Sequence, residues 1–369
     1  MDNKYIAFTD FRFVDEAKSE LRSIFGDATL IRPLYGELML FDVARPYDNA
    51  IGAFTANKPT FLYGLLKVSA EVSFNGDYYD IVTAMSSIMD MGKRFRIEVK
   101  KVWTPSEETA KDIEVLLGRA LEGKGFVADL KDPKVALYVI LVNGKALICM
   151  LDMDRYGAYT LDIFRAANKR GYVALNRSEH KLAEAVEAFH LVISPGMSCL
   201  DIGAAPGGWS HYMLRHGARV VAVDGAWLDY KKLEAKKAIV ITDDDGHAMN
   251  GIDIAKPYSM PEDIAAYDLV HIKSRAEDAV DTILDKVGQF DIVTVDMNTV
   301  PEESAKVVKS MAHAVKSGGC VVLTAKLVNN KLHKLINDAE RVLSDDYGEF
   351  AVKKLPHDRM ELTIFAKRK

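Results

Sequence analysis

Two observations place the C-terminal half of this sequence in the doubly wound α/β class. Seven short β-type runs are spread over residues 181–369 with helical stretches between most of them, and a glycine-rich turn joins the first run to the helix after it. A third observation, the mixed order of shorter elements before residue 170, assigns the first half to smaller α+β modules ahead of that sheet.

The chain has 369 residues, enough for two or three domains at roughly 150 residues each. Apolar residues make up 49% and charged residues 27%, the composition of a globular protein. The three cysteines, Cys149, Cys199 and Cys320, are far apart and form no C-x-x-C pair, which excludes a disulfide framework and a zinc site of ordinary spacing. No apolar run reaches the ~18 residues of a membrane span, and the first residues, MDNKYIAFTDF, are acidic where a secretory signal is basic. A soluble, cytoplasmic chain is expected, with no membrane or metal partner.

In the N-terminal stretch, Tyr5 to Phe8 reads as a strand, and Phe13, Ala17, Leu21 and Phe25 recur on one helical face that Gly26 and Asp27 stop. Strand-like runs at 28–31 and 37–43 complete a βαββ order, predicting a ferredoxin-like module over 1–60. Residues 61–167 form a second module. It holds a helix near 81–91, a strand at 95–100, a helix over 106–122 with Ile113, Leu116, Leu117 and Leu121 on one face, and two strands flanking Asn143-Gly144, a strong hairpin signal. Residues 168–180 are polar and predict a linker.

From 181 onward the strand candidates are 198–202, 219–224, 268–272, 290–297, 320–327, 350–355 and 362–366. Helical stretches separate all but the last pair, which a tight turn at 356–359 joins, so the final strand must run antiparallel. This is the pattern of a methyltransferase-type Rossmann sheet.

The turn itself reads LDIGAAPGGWS over 200–210. Gly203, Gly207 and Gly208 let a backbone approach a ligand closely, and the helix start near Gly208 offers unpaired N–H groups. The G-x-x-x-G-G spacing and Pro206 depart from a dinucleotide fingerprint. Asp224 ends the next strand, where an acid can bind ribose hydroxyls.

The D-x-G-x-x-P-G-G-W string, formed by Asp201, Gly203, Pro206, Gly207, Gly208 and Trp209, resembles the S-adenosylmethionine motif of the FtsJ-like RNA ribose 2′-O-methyltransferases. That family carries a Lys–Asp–Lys–Glu set whose positions match Lys181, Asp296, Lys326 and Glu361 here. The likeness is greatest to members that act on a cytidine of large-subunit ribosomal RNA and carry an N-terminal THUMP domain, which residues 95–150 resemble. The resemblance implies S-adenosylmethionine as cofactor, RNA as partner and the four residues as the catalytic set. It also implies a cofactor site drawn from Asp201, Gly203, Ala204, Pro206, Gly207, Gly208, Trp209, Asp224, Asp278 and Asp296.

Chemistry supports the same set. A ribose hydroxyl must lose its proton as it attacks, and a lysine serves as base only once it is itself deprotonated. Lys326 follows the apolar run 320–323, where a charge needs a reason, and Lys181 and Lys326 are expected to depress each other's pKa. Asp296 and Glu361 would orient them.

Residues 229–266 lengthen the link between the second and third strands and contain three consecutive aspartates, 243–245. Glu277 and Asp278, after the third strand, are preferred for the adenine contact, and the triple aspartate reads as an exposed turn. The net charge is −5, so RNA contact must come from local patches. One is Lys93, Arg94 and Arg96 with Lys100 and Lys101; another is Arg165, Lys169, Arg170 and Arg177. Tyr156, Tyr159 and Phe164 are candidates to stack on bases, with core packing the preferred reading of at least Phe164.

Three other functions compete. Base N-methylation wants an Asn/Asp-Pro-Pro-Tyr/Phe element after the fourth strand, where this chain has Asp296-Met297-Asn298-Thr299. A small-molecule methyltransferase leaves the long N-terminal half without a purpose. A non-catalytic RNA binder does not account for the four matching residues.

Overall fold

The computed structural model describes residues 3–26, 29–102, 104, 107–156, 174–243, 251–327 and 332–369. The chain divides into two compact units, Met1–Gly171 and Tyr172–Lys369.

The first unit is built on one eight-stranded sheet, ordered β2-β3-β1-β4-β8-β7-β5-β6. Its strands are β1 (Asn3–Thr9), β2 (Leu30–Tyr35), β3 (Leu38–Val43), β4 (Leu62–Ser73), β5 (Arg94–Val102), β6 (Val127–Ala128), β7 (Val135–Val142) and β8 (Lys145–Asp152). Helices α1 (Val14–Phe25), α2 (Tyr47–Asn57), α3 (Tyr79–Ile88) and α4 (Ala110–Gly123) and a single turn, α5 (Met153–Tyr156), complete it. The sequence pattern did not show α2 or β4, and β4 has the larger consequence. Its first half pairs with β1 and its second half with β8, so one strand belongs to both of the expected N-terminal modules.

Local chemistry sets several boundaries. Gly26, at φ +104, ends α1 in a conformation that a side chain resists. Helix α4 begins at Ala110, four residues later than the periodicity suggests. Thr109 and Asp112 form a reciprocal capping box there, with Asp112 Oδ2 accepting from Thr109 N at 3.0 Å. Asn143 and Gly144 take φ +48 and +72, the double positive φ of a two-residue hairpin whose twist suits the flanking strands.

The second unit carries a nine-stranded sheet, ordered β12-β11-β13-β10-β9-β14-β15-β17-β16. Its strands are β9 (Ser198–Ile202), β10 (Arg219–Val223), β11 (Ala238–Ile241), β12 (Ile252–Ala255), β13 (Leu269–Ile272), β14 (Phe290–Val295), β15 (Val315–Lys326), β16 (Tyr347–Lys353) and β17 (Glu361–Arg368). Helices α6 (Arg177–Ala188), α7 (Gly208–Arg215), α8 (Ala276–Thr282), α9 (Pro301–Ser310) and α10 (Leu332–Leu343) pack around it.

All pairings from β12 to β15 are parallel, and β17 runs antiparallel between β15 and β16. The residues of β9, β10 and β13 are nearly all buried, as a sheet covered on both faces requires. The expected alternation with helices fails between β10 and β13. Residues 229–266 form β11 and β12 in that interval and extend the sheet past β13.

The chain runs from β9 to β10 on one side and later returns to place β14 on the other side of β9. Strand order therefore reverses between β9 and β14, where the ends of two strands open a crevice.

Candidate active site

The loop after β9 is shaped mainly by the protein around it. Gly203 has φ +76, and a Cβ there would lie 2.7 Å from the Asp296 carbonyl oxygen, so only glycine lets this loop close on the end of β14. Gly207 has φ +115, and its Cβ would meet a Leu233 methyl at 3.0 Å. A Cβ on Gly208 would collide with the Asn176 side chain. At 207 and 208 the room expected for a ligand is thus occupied by Leu233 and Asn176.

Asp201 points inward. It is buried and accepts hydrogen bonds from Ser210 Oγ at 2.7 Å and Thr294 Oγ1 at 3.0 Å, and burial pushes its carboxyl up to about 6. Trp209 is buried and donates Nε1–H to the Ser178 carbonyl at 2.7 Å, tying α7 to α6. These two residues hold the loop from behind.

Ala204 is buried, whereas Pro206 is exposed and its carbonyl accepts from Asp229 N at 2.9 Å. Asp224, half-buried at the end of β10, reaches across to the loop. Its carboxylate accepts from Ala205 N at 3.0 Å and from Ala226 N at 2.8 Å. Asp278 lies exposed in the first turn of α8. Asp243, exposed, follows β11, one strand farther from β10 than β13; Asp244 and Asp245 fall outside the described residues.

Lys181, Asp296, Lys326 and Glu361 come together. Lys181 projects from α6, Asp296 follows β14, Lys326 ends β15 and Glu361 begins β17, directly opposite Lys326 in the register. Lys181 Nζ lies 2.9 Å from Asp296 Oδ2 and 3.0 Å from Glu361 Oε1. Lys326 Nζ lies 3.3 Å from Asp296 Oδ1 and 3.3 Å from Glu361 Oε2. The four charges close a ring in which each carboxylate bridges both lysines. Ser178, one turn before Lys181, donates to Asp296 Oδ2 at 3.1 Å.

The ring corrects one expectation. Lys181 is not depressed, because carboxylates flank it on both sides. Burial pulls the Lys181 pKa down, yet Asp296 and Glu361 outweigh it and the net shift is upward. Burial pushes Asp296 and Glu361 up, and the lysines, Lys181 first, bring both below the usual carboxylate range. Lys181 is sealed in, with 4% of its side chain exposed, whereas Lys326 keeps 27%. Only Lys326 combines the ring with ready access from outside.

The basic patch expected in the first unit is largely neutralised. Arg94 pairs with Asp129 and Asp132, Lys93 with Asp152, Arg96 with Glu98 and Lys100 with Glu37. Arg177 is exposed at the start of α6, while Arg165, Lys169, Arg170, Tyr159, Phe164 and the Tyr156 side chain fall outside the described residues. Sequence reasoning assigned no chemistry to the histidines. Two of them, His180 and His357, stack at 4.6 Å beside the ring, and His357 is held by Glu184. Ser178 was legible only as part of a polar string.

An open parallel sheet with a glycine loop at its switch point, and an acid ending the neighbouring strand, defines a Rossmann-type α/β enzyme that binds a nucleoside cofactor. The chain belongs to the FtsJ-like methyltransferase family, whose model it matches over residues 174–361, just over half its length. S-adenosylmethionine is the cofactor of that family.

Among curated proteins, the chain is 28% identical over 200 residues to an uncharacterized protein of Methanocaldococcus jannaschii, covering 53% of this chain and 47% of that one. It is 30% identical over 149 residues to the ribosomal RNA large subunit methyltransferase M of Hahella chejuensis, covering 38% of each. With the protein of the same name from Xanthomonas axonopodis pv. citri it shares 27% over 319 residues, 79% of this chain and 78% of that one. The chain spans half or less of the length of the first two of these relatives.

The residues present fit such a cofactor. Asp224 is fixed by two backbone N–H groups on the loop side of β10 and retains lone pairs for a ribose diol. Asp296 and Glu361 balance Lys181 and Lys326 next to the crevice, so the ring carries no net positive charge that would repel a cationic sulfonium. Among the described residues no group of three or more His, Cys, Asp or Glu is placed to hold a metal ion, and no helix is long and apolar enough to cross a membrane.

Proposed function

We propose that this chain is an S-adenosylmethionine-dependent RNA ribose 2′-O-methyltransferase that acts on large-subunit ribosomal RNA. The observation that carries this reading is the closed ring of Lys181, Asp296, Lys326 and Glu361 at the sheet's switch point, with Lys326 its accessible member. The cofactor supplies an electrophilic methyl group. The protein supplies position and a proton acceptor.

Asp224 and the loop after β9 hold the nucleoside. Asp296 and Glu361 aim Lys326 at the ribose hydroxyl, and Lys181, kept protonated between them, prevents the carboxylates from taking the proton themselves. Lys326 Nζ, once deprotonated, accepts the hydroxyl proton as the oxygen attacks. Rate then comes largely from in-line alignment. The first unit, with the ferredoxin-like 1–60 and THUMP-like 61–167 segments, selects the RNA. The linker expected over 168–180 is shorter than its residues suggest, because α6 of the catalytic domain already begins at Arg177. Asp296-Met297-Asn298-Thr299 lacks the prolines and aromatic that base N-methylation uses, which favours ribose as the acceptor.

The test is single-turnover methyl transfer on ribosomal RNA, with 2′-O-methyl mapping of the product. Lys326→Ala is expected to slow transfer by about two to four orders of magnitude. Lys326→Arg is expected to be nearly as slow, because a guanidinium stays protonated at any workable pH. A near-native rate in the arginine variant, or methylation mapped to a base, would overturn the proposal.

A further inference from the structure

The segment that follows β10 and the middle of β13 carry a polar network that the chemistry above does not use. His271 sits in the buried strand sequence Leu269-Val270-His271-Ile272 with no exposed surface. A histidine there is costly unless both ring nitrogens are satisfied. Both are. Nε2 lies 3.1 Å from the Asp224 carbonyl oxygen, and Nδ1 meets the Tyr230 hydroxyl.

The direction of the chain follows from these partners. A carbonyl only accepts, so Nε2 carries the hydrogen. Burial lowers the ring's pKa to about 4, so the imidazole is neutral at physiological pH and Nδ1 is an acceptor. Burial also raises the Tyr230 pKa, leaving its hydroxyl a donor. Tyr230 O–H therefore donates to Nδ1, and Nε2–H donates to the Asp224 carbonyl. Trp227 packs edge-on against His271, with ring centres 6.4 Å apart.

Asp224 is followed by Gly225, which tolerates almost any φ, so the peptide joining them has little intrinsic reason to keep one orientation. A rotation about ψ of Asp224 that Gly225 does not compensate would carry Ala226 N–H away from Asp224 Oδ1, which it reaches at 2.8 Å, and the carboxylate would lose one of its two fixed donors. The hydrogen bond from His271 blocks that rotation. We propose that His271 is a positioning residue for the cofactor's ribose: it pins the Asp224 carbonyl and thereby sets the carboxylate, while Tyr230 fixes the histidine tautomer. The proposal rests on the reading of Asp224 as the ribose-binding acid.

Calorimetry on the full chain tests it with two ligands, S-adenosylhomocysteine and its 2′,3′-dideoxy analogue, which lacks the diol. Loss of one ordering hydrogen bond in His271→Leu is expected to weaken S-adenosylhomocysteine by about tenfold and the dideoxy analogue by less than about twofold. Tyr230→Phe, which puts folding at little risk, should show the same selectivity with a loss of about threefold. His271→Gln, with an N–H near the Nε2 position, should recover most of the preference for the diol. Equal losses on both ligands, or no loss on either, would reduce His271 to a packing residue and overturn the proposal. Asp224→Ala is the control: it should abolish the preference for the diol. A preference that survives that change would instead remove Asp224 from the ribose site, a failure distinct from that of His271.

Discussion

Replacing Lys181 by methionine keeps most of the apolar stem of the side chain and removes the ammonium, with its charge and its donors to Asp296 and Glu361. In the native protein Nζ lies 2.9 Å from Asp296 and 3.0 Å from Glu361, and the three side chains are 4%, 14% and 6% exposed. At an effective dielectric near 20, each contact at about 3 Å amounts to roughly 5 kcal/mol of gross attraction. Burying an ammonium takes back several kcal/mol of that. The variant leaves two buried carboxylates with Lys326 alone, at 3.3 Å from each, so a net loss of about 3–5 kcal/mol is expected. Lys326→Met, which removes the more exposed and more distant lysine, should cost about 1 kcal/mol. Urea unfolding at neutral pH, read by tryptophan emission, measures both, with an unchanged m-value certifying that stability alone has moved. Trp209 and Trp227 both lie in the second unit and report on it. A Lys181→Met loss below about 1 kcal/mol, or equal losses in the two variants, would refute the view that the buried lysine holds the ring together.

The ring also sets a pH window. Asp296 and Glu361 have folded pKa values below their unfolded ones, so their contribution is fully present above about pH 5 and is lost as pH falls through the folded values. Lys181 is raised, so its contribution is fully present below the unfolded value of about 10 and disappears as pH rises through the folded one. The ring's own contribution to the urea midpoint should therefore be flat between about pH 6 and 9, and in Lys181→Met the acid-side loss from Asp296 and Glu361 should begin at higher pH than in the native chain. Gly207→Val should destabilise the second unit by about 2–4 kcal/mol, because valine resists φ +115 and its Cβ would press on Leu233 at 3.0 Å. Thermal melts with and without S-adenosylhomocysteine would both shift; a binding defect with an unchanged melt would contradict the packing account. The fragment Tyr172–Lys369, compact in its own right, should keep S-adenosylhomocysteine affinity and lose activity on structured RNA. Undiminished activity and site choice in the fragment would dismiss the selective role given to the first unit.

Local pattern determined much of this protein. The runs at 198–202 and 219–224, the turn at 203–208 and the Asn143-Gly144 hairpin occupy the places their residues imply, because period, glycine content and turn chemistry act over a few residues. The sequence alone also assembled Lys181, Asp296, Lys326 and Glu361, though only through resemblance. Asp296 and Lys326, 30 positions apart, and Lys326 and Glu361, 35 apart, meet because β14, β15 and β17 are neighbours. Lys181, 115 positions from Asp296, joins them from α6. These are facts of strand order and helix packing that no local window contains.

Tertiary structure decided the rest. It made one strand, β4, serve two expected modules, and it turned residues 229–266 into β11 and β12, since strand pairing between distant segments can override a weak local pattern. It turned Asp201 and Trp209 inward as supports for the loop, and it placed Leu233 and Asn176 where an empty approach to the glycines was expected. It also alternated the charges of the ring, which reversed the expected shift on Lys181. The physical reason is the same throughout. Propensity and turn chemistry are short-ranged and can be read from neighbouring residues, whereas burial, close packing and the pKa of a buried charge depend on atoms that only the folded chain brings within a few ångströms.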